Sequence, residues 1–256
     1  MKPIDQLRAS LHRRRSRYRS QLEDMAPSVR AHWLKHAPLE FPGLPVSELF
    51  FVRAAEGLMN FFEIAQKAHT SYALPSLAAD SVWHAWLRWD EDDLARFCRR
   101  HFQAPVAHLP HEALDALALP RTLVACRHSD GMPAHASRLP RLFQIDTRLR
   151  MPSGHAYRQR GFNIDYARLS AEGRYRYDGA THPALSLRAL LAAGFISQMM
   201  FEEAVGRHLG AGHAHAMLMD GGSDSDGGGA DSGGGDGGDG GGGGGCGGGC
   251  GGGGGD

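Results

Sequence analysis

The stretch from Gly221 to Asp256 sets the limit on what this chain can fold into. It holds 24 glycines, six aspartates, three serines, two cysteines and one alanine. No apolar side chain there is larger than alanine's, so the segment cannot bury enough surface to offset the entropy of ordering it. The expectation is a helical globular domain over residues 1–215, followed by a disordered Gly/Asp/Cys tail over 216–256. A domain of that length buries about 70% of its unfolded surface.

Charge follows the same division. Asp220 and the tail aspartates carry seven of the 28 acidic residues, and no Lys or Arg follows Arg207. The body is therefore basic, which suits phosphate or acidic partners, or screening by its own tail. At the N-terminus, Arg8 and an arginine cluster stand where a secretory signal needs an apolar core. The longest apolar stretch, Ala189 to Phe201, is broken by Ser197 and Gln198. It is shorter than the roughly 20 residues that span a bilayer. Cys98 and Cys126 stand alone in the body, which fits reduced thiols and a cytoplasmic protein.

Apolar spacing predicts a mostly α fold. Ile4, Leu7, Leu11, Tyr18, Leu22 and Met25 recur at helical intervals and predict one helix over 4–25. Arg13, Arg14, Arg15, Arg17 and Arg19 cover much of its remaining surface. That pattern suits an anionic lipid or nucleic-acid surface, or an ordinary solvated face. A short helix is expected over 28–36, and a long core helix behind Ser47 as N-cap. Short helices are expected over 111–119 and 122–127, and a closing helix over 186–209 with Gly210 as C-cap. Weak alternation over 142–149 and 174–177 places a small irregular or β-containing portion around 140–180.

The stretch ADSVWHAWLRWDEDDLARFCRRHF, Ala79 to Phe102, carries the most chemistry. In a helix over 77–88, Asp80, Trp83, His84 and Leu87 share a face. Asp90 is placed to cap a second helix, whose apolar side holds Leu94, Phe97, Cys98, His101 and Phe102. A short connection packs the two helices together, so Asp80 and His84 are expected to face Cys98 and His101. Burying such groups alone is costly, so they must be paired or ligated. One reading is a hydrogen-bond network with Cys98 as a small core residue. A second is a Zn²⁺ site on Asp80, His84, Cys98 and His108, with His111 also near in sequence. A third is catalysis by a Cys98 thiolate with a histidine base, although no nucleophile turn or oxyanion hole accompanies it.

The motif formed by Asp80, Trp83, His84, Leu87, Phe97, Cys98, Phe102 and His108 resembles the D-x-x-W-H … F-C-x-x-x-F-G … H pattern of bacterial glycine-rich domain-containing proteins. These are distant relatives of the plant glycine-rich domain protein-like family. The block LPRLFQIDTRLRMPSGHAY, Leu139 to Tyr157, is similar to that family's later segment, and the Gly/Cys tail also fits. Gln103 stands where that pattern has glycine, and Ala107-His108 where it has two histidines. His101 is outside the pattern. The resemblance implies a polar or metal site around His84, Cys98 and His108, and no particular activity.

In the tail, Cys246 and Cys250 are four residues apart, a spacing that can offer two thiolates to Zn or Cu(I). His213 and His215 lie about 30 residues away, and closing that loop costs about 3 kcal/mol. Together these features predict a non-catalytic interaction or metal-binding module with a polar site on a helical hairpin. The alternatives are a metal- or cysteine-dependent enzyme, and attachment to anionic surfaces through the N-terminal arginines.

Overall fold

Ser16 interrupts the N-terminal helix that apolar spacing predicts. The computed structural model describes residues 3–66, 70–175 and 178–206, all within one unit, Met1–Ala214. Helices α1 (Pro3–Arg15) and α2 (Arg19–Asp24) stand where one was expected. The Ser16 hydroxyl oxygen accepts the Tyr18 N–H at 3.1 Å and its own proton goes to Glu56 at 2.5 Å. A side chain that captures nearby backbone in this way competes with helix continuation. The stripe consequently divides: Tyr18, Leu22 and Met25 are buried, whereas Ile4, Leu7 and Leu11 are exposed.

Helix α3 (Pro27–Glu40) starts with Pro27 in its first turn, where the missing N–H is harmless, and continues past Pro38. It is longer than the helix expected over 28–36. Helix α4 (Glu48–Ala65) is capped by Ser47, which accepts the Phe50 N–H at 3.1 Å. Phe50, Phe51, Leu58, Met59, Phe61 and Phe62 are all buried, which makes α4 the core helix. Helix α5 (Leu77–Trp89) packs against both α3 and α4. Asp90 alone connects it to α6 (Glu91–Phe102), and its carboxylate accepts the Asp93 N–H at 2.8 Å.

The α6 terminus has Gln103 at φ 69°, a left-handed conformation that glycine adopts without strain. Relief of about 1–2 kcal/mol of strain, less about 0.4–1 kcal/mol of added chain entropy in the unfolded state, gives the expected effect of Gln103→Gly. The variant should gain about 0.5–1 kcal/mol, read as a raised denaturant midpoint.

Two further expectations are corrected. A single helix α7 (Ala118–Ser129) and a 3-10 turn at His111–Ala113 replace the two short helices over 111–127. Residues 142–149, expected to be extended, form a 3-10 turn (Arg141–Gln144) and helix α8 (Ile145–Leu149). Burial of Leu142, Phe143 and Asp146, at helical rather than alternating spacing, accounts for the change.

The sheet lies downstream, with β1 (His155–Arg160), β2 (Asn163–Arg168) and β3 (Ala180–Thr181) antiparallel in that order. Arg160 pairs with Asn163 across a two-residue loop, in which Gly161 takes φ 55°. Arg174 and Tyr175 have no regular structure, and the rest of the extended segment expected over 174–177 lies outside the described residues. The closing helix is interrupted as well: α9 (Leu187–Ala192) stops ahead of Gly194, at φ 74°, and a new helix occupies 198–206. The Gly210 cap and the tail, with His213, His215, Cys246 and Cys250, lie outside the described residues. Among the described residues, no helix is long and apolar enough to cross a membrane.

One buried carboxylate ties the helical layer to the sheet. Asp146 Oδ1 accepts the Ser76 hydroxyl at 2.6 Å and the Ala78 N–H at 3.0 Å. Its Oδ2 accepts the Leu77 N–H at 2.9 Å and the His155 N–H at 2.8 Å. Ser76 accepts the Ala79 N–H at 3.2 Å, so the first turn of α5 is satisfied from two sides.

Candidate metal centre

Helix α5 places Asp80 and His84 one turn apart, and the chain leaving α6 returns His108 to the same point. His84 Nε2 lies 3.2 Å from His108 Nε2 and 3.5 Å from Asp80 Oδ2. His108 Nε2 lies 3.1 Å from Asp80 Oδ1. The three side chains can each offer one ligand atom, all within 4.8 Å of one another. Metal bonds of about 2.05 Å in tetrahedral geometry set ligand atoms about 3.3 Å apart; the two Nε2 atoms match that at 3.2 Å, while Asp80 faces His108 with Oδ1 and His84 with Oδ2. The side chains are 21% to 28% exposed, so water can reach them.

The surroundings fix the orientation of His84. Its Nδ1 lies 2.5 Å from Glu40 Oε1, at the end of α3. A carboxylate only accepts, so Nδ1 carries a proton and, in the neutral ring, Nε2 presents its lone pair to Asp80 and His108. Arg88 donates to the other Glu40 oxygen at 2.6 Å and pins that carboxylate. An imidazole backed by a carboxylate in this way is a common support for a metal ligand. Trp83 meets the His108 ring edge-on at 4.5 Å between centroids.

Cys98 does not join the cluster, which corrects the four-ligand set expected from sequence. Its position in α6 turns it into the core beside Leu94, Phe97 and Phe102, all buried. Burial pushes its thiol up to about 11, against a backbone hydrogen bond at Val106 that lowers it. At pH 7 only about one molecule in 10⁴ would carry the thiolate, so the residue is poorly suited to nucleophilic attack.

His101 belongs to a different contact: its Nε2 lies 2.7 Å from Asp24 Oδ2, which also accepts from Arg100 at 2.7 Å. Those hydrogen bonds, His101's first, hold the Asp24 carboxyl below its usual range. The His111 side chain lies outside what is described. The site is thus not enclosed between the faces of a hairpin. It is built on α5, with Glu40 of α3 behind it and His108 arriving from a loop. Glu40 was not singled out in the sequence, since it is 44 residues from His84 and no local pattern links them.

The N-terminal arginines meet carboxylates of their own chain. Arg13 lies 3.0 Å from Glu48, Arg17 3.3 Å from Glu63 and Arg19 2.8 Å from Glu23, while Arg14 and Arg15 are exposed.

A family model described as UCP032817-like matches residues 42–175, a span that includes Asp80, His84, His108 and Asp146. No curated protein and no solved structure matches the chain. The resemblance to glycine-rich domain-containing proteins is thereby corrected. The family found over the residues that carried it is a different one, and the Gly/Cys tail falls outside the match.

Proposed function

The chain belongs to the UCP032817-like family, and we propose that it is a metal-binding module, holding a divalent ion on Asp80, His84 and His108. The donor set of two imidazoles and one carboxylate suits Zn²⁺, and it is also the set that holds non-haem Fe(II). The observation that carries this reading is the convergence of two Nε2 atoms, 3.2 Å apart, on one carboxylate, whose Oδ1 lies 3.1 Å from His108 and whose Oδ2 lies 3.5 Å from His84.

A bare hydrogen-bond network satisfies the same atoms less well. With both imidazoles neutral and the His84 proton committed to Glu40, one His108 N–H would have to serve both His84 Nε2 and Asp80. A cation gives all three acceptors a bond at once. Three protein ligands leave one position open to water or an exchangeable group. Glu40, the nearest further carboxylate in the network, is held by His84 and Arg88. That restraint favours binding over a hydrolytic role.

Metal-depleted protein titrated with Zn²⁺ should take up close to one ion per chain, and His84→Ala close to none, with circular dichroism checking that the variant is folded. The double variant Cys246→Ser/Cys250→Ser should keep the site. Glu40→Gln should weaken binding by about 10–100-fold, the usual effect of removing a carboxylate behind a histidine ligand. Uptake near zero in the parent protein, or unchanged in folded His84→Ala, would reject the proposal.

A further inference from the structure

A second site rests on other residues and does not depend on the metal centre. A cavity of about 360 Å³ lies where α7 meets the β1–β2 hairpin and α9. Its lining combines polar side chains, among them Arg127, Arg138 and Gln159, with the apolar Phe162, Leu187 and Leu190.

Arg127 is 2% exposed. Its guanidinium donates to the Ala134 carbonyl at 2.7 Å and to Gln159 Oε1 at 3.3 Å, both neutral acceptors. Its Nε is buried with no hydrogen-bond partner. Among the described residues, no carboxylate pairs with it. Glu203, 3.8 Å from His135, is 56% exposed. Burial lowers the Arg127 pKa to about 10, with no neighbouring negative charge acting against it. The group is therefore still a cation at neutral pH, and a buried cation without an anion is strongly unfavourable. An anion entering the cavity would supply the missing charge.

The apolar part of the lining selects what that anion is attached to. Aliphatic and aromatic side chains reward an apolar body. Of the two arginines in the lining, Arg138 is exposed and screened by water, so the one buried cation, Arg127, matches one negative charge better than two. We infer that this cavity binds a small organic monocarboxylate with an apolar body, its carboxylate on Arg127 and its hydrocarbon portion against Phe162, Leu187 and Leu190.

Calorimetric titration of the full chain with octanoate, octanamide and inorganic phosphate tests this. Octanoate should bind at one site per chain, octanamide at least tenfold more weakly, and phosphate without measurable heat. Arg127→Met should weaken octanoate at least tenfold and leave octanamide unchanged. Ala136→Trp, at a half-exposed lining position, should remove both. If Arg127→Met fails to fold, the acid-to-amide ratio and Ala136→Trp decide. No octanoate binding to the parent protein, equal affinity for acid and amide, phosphate binding tighter than octanoate, or full binding in Ala136→Trp would each overturn the inference.

Discussion

Asp146→Ala is expected to destabilise the protein by about 3–5 kcal/mol, the range for breaking a buried, multiply bonded carboxylate. Four donors converge on it: the Ser76 hydroxyl and the N–H groups of Leu77, Ala78 and His155. Asp146 is 1% exposed, so water cannot replace the carboxylate without rearrangement. Each donor left unsatisfied costs about 1–3 kcal/mol, and partial relaxation keeps the total below their sum. Asp146→Asn should lie between, at about 2–3 kcal/mol, because its oxygen can serve two donors while its NH₂ confronts the other two. Urea unfolding should show the midpoint falling in that order. A loss under about 1 kcal/mol for the alanine variant would mean that the donors find other partners.

The residues that could be read from sequence are those whose partners are close along the chain. Ser47 and Asp90 were legible as caps because each accepts an N–H three residues on, and α4, α5 and α6 follow from the apolar spacing behind those caps. Asp80 and His84 were legible as neighbours for the same reason, one helical turn apart. Asp146 reaches three of its four donors over 68 to 70 residues and Glu40 reaches His84 over 44, and nothing in their own surroundings announces it.

Cys98 stays open in sequence between a small core residue and a ligand, because an apolar helix face is equally consistent with both and only packing distinguishes them. The β1–β2 hairpin escaped notice for a different reason. In β1, Ala156 and Tyr157 are both buried although adjacent, so the strand lacks the alternation that identifies a half-buried sheet. Arg127 reads in sequence as a basic residue in the last turn of a helix, an ordinary place for positive charge. Its burial becomes visible only once Ala134 and Gln159, distant from any helical pattern around it, are brought against its guanidinium.

Trp86→Ala carries the other large expected effect, a loss of about 3–5 kcal/mol. The indole is fully buried, its ring centroid is 4.6 Å from that of Phe97, and its N–H donates to Asp93 at 3.0 Å. It therefore fastens α5 to α6 across a connection of one residue, and its removal leaves a void that the short link cannot close. Trp86→Phe should retain most of the packing, lose the N–H bond, and fall by about 1–2 kcal/mol. The two α5 ligands and His108 are held in register through this same pair of helices. A ligand that binds only the folded state stabilises by about 2.7 kcal/mol at a hundredfold excess over its Kd. Zinc at that excess should thus raise the stability of the parent protein and of Trp86→Phe by about that amount. Trp86→Ala should gain less, because α5 and α6 no longer share a fixed packing, and His84→Ala should gain nothing. Equal gains in all four would show that the ion is held elsewhere, and that Trp86 supports the fold without supporting the site.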